Sequence, residues 1–325
     1  MTELLFAINA TAPIVLLVAI GYFLKRIGLL GEDIAKVLNR LVFRVFLPAM
    51  LFLNIYKIEA LASVDFSFVL YAIGATLVFF VLAAIAVMLF TREKAKRGVL
   101  LQGVFRANYA LVGIPLATSL FGTEGAIAAT VLSAFLIPVF NVLAVVALSV
   151  FSPEQKPSAK KVLLGILKNP LIQSIALGFA ALALRALFVH FDISFRLADA
   201  SPIYSTLQSL SSVATPLALL ALGGQFALSA VPGLKKELFF GLLARCAIVP
   251  LLGLGAACLI GGFNGAHFAT FVAVFCTPVA VSSVPMAQEM GADTALAGQL
   301  VVWTTLFSAL SIFLASYFLK LLCVF

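Results

Sequence analysis

The sequence has 325 residues, of which 63% are hydrophobic and only 10% are charged. Soluble globular proteins are usually about 25% charged, so this composition, with a mean hydropathy of +1.19, excludes a soluble domain and indicates an integral membrane protein. The net charge of +8 does not indicate nucleic-acid binding, because the lysines and arginines lie in short segments between apolar runs. The cysteines lie within apolar runs and form no CxxC motif, so neither a metal site nor another cofactor is predicted.

Apolar runs long enough to cross a bilayer follow one another along the chain. A membrane-spanning helix needs about 20 mostly apolar residues, and by this rule the sequence contains ten spans. They are predicted at 7–24, 34–56, 66–90, 98–121, 124–150, 163–189, 204–228, 236–260, 266–289 and 294–323. The fold class expected is therefore an all-α polytopic membrane protein.

The basic residues are divided unevenly between the two sides of this arrangement. One set of alternate loops is rich in lysine and arginine, whereas the other side holds only Lys57, Arg196 and Lys320. Cytoplasmic loops carry the excess of basic residues, which predicts a plasma-membrane protein with both termini outside and the polar linker 151–161 in the cytoplasm. The first apolar run has no basic region before it and no small-residue cleavage site, so it is predicted to be a retained helix.

Short patterns recur in the same order in the two halves of the chain. Pro13 and Gly21 in the first span have the same spacing as Pro170 and Gly178 in the sixth. The pairs of similar motifs are LPAML (47–51) with TPLAL (215–219), and GIPLA (113–117) with SVPMA (283–287). Because each half would hold five spans, the second half would enter the membrane from the opposite face. This predicts two inverted five-helix repeats, 1–150 and 162–325, an arrangement common in secondary transporters.

The fourth and ninth spans contain residues that interrupt helices. Gly113 and Pro115 lie near the middle of the fourth span, and Pro278 and Pro285 lie in the ninth. A proline removes one helical hydrogen bond and clashes with the preceding turn. In hydrocarbon, the freed backbone groups must be buried in protein or line a water-filled cavity. Interrupted spans in corresponding halves indicate a transporter's substrate site, although a plain kink is the alternative at each proline.

Two interrupted helices would expose helix ends near the middle of the membrane. The N-terminal ends carry partial positive charge and unpaired N–H groups, so facing ends would favour an anion, especially a carboxylate. The neutral hydrogen-bonding residues predicted around this site are Asn108, Thr277, Ser282, Ser283 and Gln288. Neither span has an acidic residue at the same depth, which argues against a cation site.

Three charged residues near these spans are candidates for attracting the anion or coupling its movement. Arg106 and Arg245 lie about two turns inside the cytoplasmic ends of their spans, and charges within the membrane are functional hypotheses. Snorkelling of the long side chain to the interface is the alternative. Glu289, at the inner end of the ninth span, would pair with a basic residue, take up a proton or be solvated.

Several stretches together resemble one known family over nearly the whole chain. They are PIVLLVAIGYFLKRIGLL, LNRLVFRVFLPAMLF, FRANYALVGIPLATSLFGTEGA, TPLALLALG and the closing QEMGAD. The sequence is similar in these stretches to the auxin efflux carrier family, which includes bacterial malonate-type permeases and the plant PIN-formed auxin exporters. This sequence differs from the plant pattern at Pro285, which lies two residues later, and at Gln288, which replaces a basic residue.

The resemblance implies a fold like that of the bile-acid symporters, in which helices four and nine cross at their prolines and the carboxylate binds at the crossing. It marks Asn108, Gly113, Ile114 and Pro115 in the fourth helix, and Pro278 and Gln288 in the ninth. It also implies a scaffold (7–56 and 163–228) that forms a homodimer through helices 1, 2, 6 and 7, and a transport domain (66–150 and 236–323).

The predicted function is secondary transport of a small organic anion, a mono- or dicarboxylate, by elevator-type alternating access, with a proton or sodium as the candidate coupling ion. The chain has no constellation of nucleophile, base or metal ligands, so it is not predicted to be an enzyme. Two alternatives stay open. One is a sodium-coupled symporter with a sodium site built from Asn141, Gln299, Thr304, Thr305 and Ser308, and the other is a sensor that binds a carboxylate without moving it.

Overall fold

The computed structural model describes residues 2–57, 66–152, 159–322 and 324, with the backbone alone for residues 2–11, 159–162 and 228. Residues 153–158 of the predicted linker and residue 323, at the end of the tenth predicted span, therefore lie outside the described residues. The first predicted span is described by its backbone alone up to residue 11. All regular structure in the described part of the chain is helical.

The helices follow one another with short connections. They are α1 (Thr2–Arg26), α2 (Glu32–Leu41), α3 (Leu47–Tyr56), α4 (Phe66–Phe90), α5 (Lys94–Phe105), α6 (Ile114–Val150), α7 (Ala159–Lys168), α8 (Pro170–His190), α9 (Ser201–Gln225), α10 (Lys235–Leu243), α11 (Val249–Ile260), α12 (Gly265–Phe275), α13 (Ser283–Glu289) and α14 (Thr294–Leu321). Wide π turns join α2 to α3, α10 to α11, and the start of α6 to the residues before it.

Seven helical segments of the described residues are long and apolar enough to cross a membrane. They are Glu32–Tyr56, Phe66–Phe90, Tyr109–Val150, Pro170–His190, Ser201–Gln225, Ser229–Ile260 and Thr294–Leu321. The prediction of an all-helical, multi-pass membrane protein is confirmed at this level. The predicted spans 98–121 and 266–289 do not form single helices, because α5 ends at Phe105 and α12 ends at Phe275.

Three prolines within the helical part of the chain each follow a π turn. The π turns are Val42–Phe46, Tyr109–Gly113 and Ala244–Ile248, and the prolines are Pro48, Pro115 and Pro250. A wide turn gives the proline ring room beside the carbonyls of the preceding turn. The backbone therefore stays helical through Gly113 and Pro115, and the non-helical residues of this region lie upstream, at 106–108. The expected interruption at Gly113 and Pro115 is corrected accordingly.

Two predicted boundaries are refined by local geometry. The predicted gap between the fourth and fifth spans coincides with non-helical dihedral angles at Phe121 (φ −138°, ψ 24°) and Gly122 (φ 58°, ψ −142°) inside α6. The sixth span was predicted from residue 163, but a new helix begins at Pro170. Asn169 lies between α7 and α8, and its side chain accepts a hydrogen bond from Leu171 N at 2.9 Å, which caps the start of α8.

Two close helix contacts depend on glycine. Gly21 of α1 packs against α9, where an added Cβ atom would overlap the carbonyl oxygen of Leu220. Gly178 of α8 packs against α3, where a Cβ atom would lie 3.0 Å from Ile55 Cβ and 3.2 Å from Phe52 O. Small residues allow helix backbones in a membrane protein to approach this closely.

The variant Gly21→Leu is expected to destabilise the protein, because the new side chain overlaps the backbone of α9. Overpacking of this kind costs roughly 1–3 kcal/mol, which should lower the midpoint of thermal unfolding in detergent by several degrees. Gly74→Leu in α4 is the matched control, because no atom lies within 4 Å of its added Cβ. Equal midpoints for the two variants would contradict this assignment of the α1–α9 contact.

Candidate functional site

The two non-helical segments 106–108 and 276–282 lie against each other in the interior. Their contacts are an isolated antiparallel bridge between Ala107 and Val279, and hydrogen bonds from Asn108 N to Pro278 O (2.8 Å) and from Ala280 N to Arg106 O (3.2 Å). Because buried backbone groups need partners, this pairing satisfies groups that lie beyond the ends of α5 and α12. We call the paired segments the crossing.

A cavity lies beside the crossing, between it and α3, α6, α8 and α9. Its lining includes Met50 of α3, Phe140 of α6 and Ala214 of α9, and is mostly apolar. The polar side chains in the lining are Asn54, Asn108, Tyr109, Asn141, Thr215 and Ser282. Arg106 is the one charged residue among the lining residues, and none of those residues is acidic. A cavity with this lining is suited to a small anion.

The guanidinium of Arg106 supplies the positive charge in the lining of the cavity. The residue is only 2% exposed and follows the last residue of α5. It donates hydrogen bonds to Gln102 Oε1 (2.8 Å), Asn141 Oδ1 (2.8 Å) and Ser282 Oγ (2.9 Å), and it contacts Met286 Sδ. Within the described part of the chain it forms no ion pair with a carboxylate. A buried charge without a counter-charge is costly, so the site favours binding of an anion.

An unpaired donor belongs to a second residue in the lining of this cavity. Asn108 is 4% exposed, and its Nδ2 has no hydrogen-bond partner among the described residues. Gln102 Nε2 and Ser283 Oγ are likewise buried and unpaired. Buried polar atoms nearly always have a partner, so the unpaired amide of Asn108, in the lining of the cavity, indicates a position for a ligand oxygen.

The remaining predicted residues of the site are arranged around the crossing but do not line the cavity. The hydroxyl of Thr277 donates to the carbonyl of Ala273 one turn earlier, at 2.7 Å. Ser283 and Pro285 lie in the first turn of α13, and Pro278 lies in the crossing, five residues before the start of that helix. Gly113, Ile114 and Pro115 lie in the helical turn that follows Asn108.

Gln288 and Glu289 contact other helices, away from the cavity. Gln288 accepts hydrogen bonds from Asn39 Nδ2 (3.2 Å) and Gln225 Nε2 (2.9 Å), and its Nε2 donates to Lys36 O (2.9 Å). The Glu289 carboxylate forms ion pairs with Arg40 (3.2 Å) and Arg44 (3.1 Å). The structure thus joins the C-terminal end of α13 to α2, the π turn after it, and α9. We call these contacts the α13 latch.

Arg245 lies in the π turn between α10 and α11, and it does not line the cavity either. Its guanidinium donates to three backbone carbonyls, those of Val104 (3.2 Å), Val274 (2.8 Å) and Thr277 (2.8 Å). These carbonyls belong to the last turns of α5 and α12 and to the crossing. Arg245 therefore holds the crossing together rather than facing the cavity.

The side-chain oxygens considered for a sodium site all take part in hydrogen bonds, which leave lone pairs on each oxygen. Asn141 Oδ1 accepts from Arg106, and Gln299 Oε1 accepts from Trp303 Nε1 at 3.0 Å. The hydroxyls of Thr304, Thr305 and Ser308 each donate to a carbonyl of their own helix. Thr304 Oγ1 also accepts from Val279 N at 3.1 Å, which ties α14 to the crossing.

Asn54 and Thr215 are cavity residues that the sequence did not identify as part of the site. They come from α3 and α9, far in sequence from the crossing. The available signals were that Asn54 interrupts an apolar helix and that Thr215 begins the repeated TPLAL motif. Neither signal indicates which residues Asn54 and Thr215 face in the folded protein.

A many-helix membrane protein with a buried cationic cavity is of the transporter class, and comparison with known proteins assigns the family. A family profile described as "Membrane transport protein" matches residues 6–316. The chain belongs to this family, which confirms the predicted membership of the auxin efflux carriers.

Three curated relatives are similar over nearly their whole length. An "Uncharacterized transporter" of Methanocaldococcus jannaschii is 27% identical over 94% of this chain and 96% of that protein. An "Uncharacterized transporter" of Methanothermobacter thermautotrophicus is 25% identical over 92% and 94%. A Rhizobium meliloti protein named "Putative malonate transporter" is 26% identical over 91% and 90%.

Proposed function

We propose that this protein is a secondary transporter of small mono- or dicarboxylates, which bind in the cavity beside the crossing. The observation that carries the proposal is the buried guanidinium of Arg106, which has no acidic partner among the described residues and lines the same cavity as Asn108, whose amide is unpaired. Arginine binds a carboxylate through two parallel hydrogen bonds, which here would replace some of the contacts that Arg106 makes with Gln102, Asn141, Ser282 and Met286. The name of the Rhizobium meliloti relative supports a dicarboxylate such as malonate as the first substrate to test, and the transporter names of the relatives support a function that is not enzymatic.

We further propose ten membrane spans in two inverted repeats, 1–150 and 162–325, joined by the linker 151–161. In this arrangement α5 with the following residues to Phe121 forms the fourth span, and α12 with α13 forms the ninth. Reciprocal packing supports the repeat. The first helix of each half packs on the second helix of the other half, at Gly21 with Leu220 and at Gly178 with Phe52. Leu220 and Phe52 each lie four residues after the proline of their repeated motif.

The cavity position supports alternating access between two groups of helices. Scaffold helices 7–56 and 163–228 form one side of the cavity through α3, α8 and α9, and transport helices 66–150 and 236–323 form the other through the crossing and α6. An elevator movement of the second group would carry the bound carboxylate past the first. The α13 latch connects the two groups, so it would have to open during this movement.

The remaining features of the proposal follow from the sequence. The excess of basic residues on one side supports a cytoplasmic linker and termini outside the plasma membrane. Similarity to the family supports a homodimer through the scaffold, with α1, α3, α8 and α9 as the contact helices. A proton and sodium are the candidate coupling ions, and the gradients imposed in the flux measurements distinguish them.

Flux measurements in proteoliposomes test the proposal. Purified protein would be offered labelled malonate, other dicarboxylates and monocarboxylates, with a pH gradient and a sodium gradient imposed in turn. We expect saturable flux of at least one carboxylate and no flux of matched neutral amides, because Arg106 selects negative charge. Tight carboxylate binding without flux under either gradient would contradict the transporter proposal and favour a sensor.

A further inference from the structure

The guanidinium of Arg245 is surrounded by backbone carbonyl oxygens, which are also the ligands of many bound cations. Arg245 is 1% exposed, it lies in a π turn, and its three hydrogen bonds all go to backbone carbonyls. The three carbonyls come from three different segments: α5, α12 and the residues after α12. In the described part of the chain Arg245 forms no ion pair with an acidic residue.

The sequence leaves two of these carbonyls, those of Val274 and Val104, without their usual helical donors. The carbonyl of Val274 would receive its hydrogen bond from residue 278, but Pro278 has no N–H group. The carbonyl of Val104 would receive its hydrogen bond from Asn108 N, but that group donates to Pro278 O across the crossing. Two helix C-terminal ends, each with partial negative charge, therefore converge on one point.

Such a point is a cation site by its chemistry. In transporters with discontinuous helices, unwound carbonyls and half-helix C-terminal ends coordinate sodium or other cations. Here the guanidinium of Arg245 occupies that position and donates to the same kind of oxygen.

We infer that Arg245 is a tethered cation, which takes the place of a dissociable coupling ion and makes carboxylate transport independent of sodium. It is a positioning residue that acts through the crossing, since it does not reach the cavity. The inference rests on the proposed function, because it concerns the ion requirement of carboxylate transport.

Removing the tethered charge should convert the protein to a cation-dependent carrier. In Arg245→Gly, carboxylate flux in a choline medium should fall by roughly 100-fold, comparable to the loss of a buried charge-assisted contact. Added sodium or guanidinium ions should restore flux saturably, and an inward sodium gradient should drive accumulation of the carboxylate. The wild type should show neither effect. If Arg245 had only a structural role, the Arg245→Gly variant would not accumulate the carboxylate in response to a sodium gradient.

Arg97→Gly is the matched control, because Arg97 also donates to backbone carbonyls, those of Thr91 (2.7 Å) and Met88 (3.3 Å), but lies outside the crossing. Its flux should not depend on sodium. Thermal unfolding provides a second readout that does not require flux. The unfolding midpoint of Arg245→Gly should rise with sodium or guanidinium at constant ionic strength, and that of Arg245→Met should not.

Indifference of both flux and unfolding midpoint of Arg245→Gly to these cations would overturn the inference. Sodium dependence of the wild type would overturn it as well. If no carboxylate moved in the wild type, the proposed function would fail, while the midpoint measurements would still test the cation site.

Discussion

Replacing Arg106 with glutamine is expected to abolish carboxylate transport almost completely. The variant keeps an amide that can hydrogen-bond within the cavity, but it loses the one charge in the lining. A charge-assisted hydrogen bond contributes about 1.5–3 kcal/mol, and two parallel bonds to one carboxylate should together change affinity by roughly 100-fold or more, at about 1.4 kcal/mol for each factor of ten. The measurement is saturable flux of the best carboxylate substrate, together with its binding constant in detergent.

Stability distinguishes this role of Arg106 from a structural one. The buried charge has no acidic partner among the described residues, so its removal relieves a desolvation cost. Glutamine also loses most of the hydrogen bonds that Arg106 donates to Gln102, Asn141 and Ser282, which offsets this gain. The unfolding midpoint of Arg106→Gln, measured without substrate, should therefore stay close to that of the wild type while the affinity falls. Arg106→Lys should retain part of the affinity, because it keeps the charge but not the planar pair of donors. Flux of Arg106→Gln within threefold of the wild type, or a lower midpoint with unchanged affinity, would contradict the assignment.

The second large effect is expected at Asn108, where an aspartate would place a negative charge in the carboxylate site. In Asn108→Asp the new carboxylate would replace the unpaired donor with an acceptor and would compete with the substrate for Arg106. We expect the loss of flux to be at least as large as for Arg106→Gln, roughly 100-fold. The substrate binding constant and flux are the quantities to measure.

Asn108→Ala distinguishes two causes of lost flux: repulsion of the substrate by a new carboxylate, and loss of the hydrogen-bond donor of Asn108. It removes one neutral hydrogen bond, which contributes about 1 kcal/mol, so flux should fall by roughly five- to tenfold. Thr277→Val provides a control within the crossing, because the Thr277 hydroxyl bonds to the carbonyl of Ala273 and does not line the cavity, and its flux should stay near the wild-type value. If Asn108→Asp and Asn108→Ala reduced flux equally, Asn108 would not face the anion.

The membrane class of the protein was predictable, because long apolar segments raise the mean hydropathy and can be read directly from the sequence. The burial of Arg106 and Asn108 at a cavity was predictable, because polar groups within an apolar segment must be buried in protein or line a cavity. The position of the non-helical residues was not predictable from Pro115, because a π turn accommodates that proline without breaking the helix. The contacts of Gln288, and the presence of Asn54 and Thr215 in the cavity, depend on which distant helices meet, and the local sequence does not record this.

The two buried arginines also determine how a membrane potential would act on the transport cycle. Neither Arg106 nor Arg245 has a carboxylate partner in the described structure, and both belong to the helices proposed to move. The empty site would therefore carry two positive charges across the bilayer, the site with a monocarboxylate one, and the site with a dicarboxylate dianion none. Moving one elementary charge through 100 mV involves about 2.3 kcal/mol. In a dicarboxylate carrier of this design, the electrical work would fall on the return of the empty site rather than on the movement of the substrate.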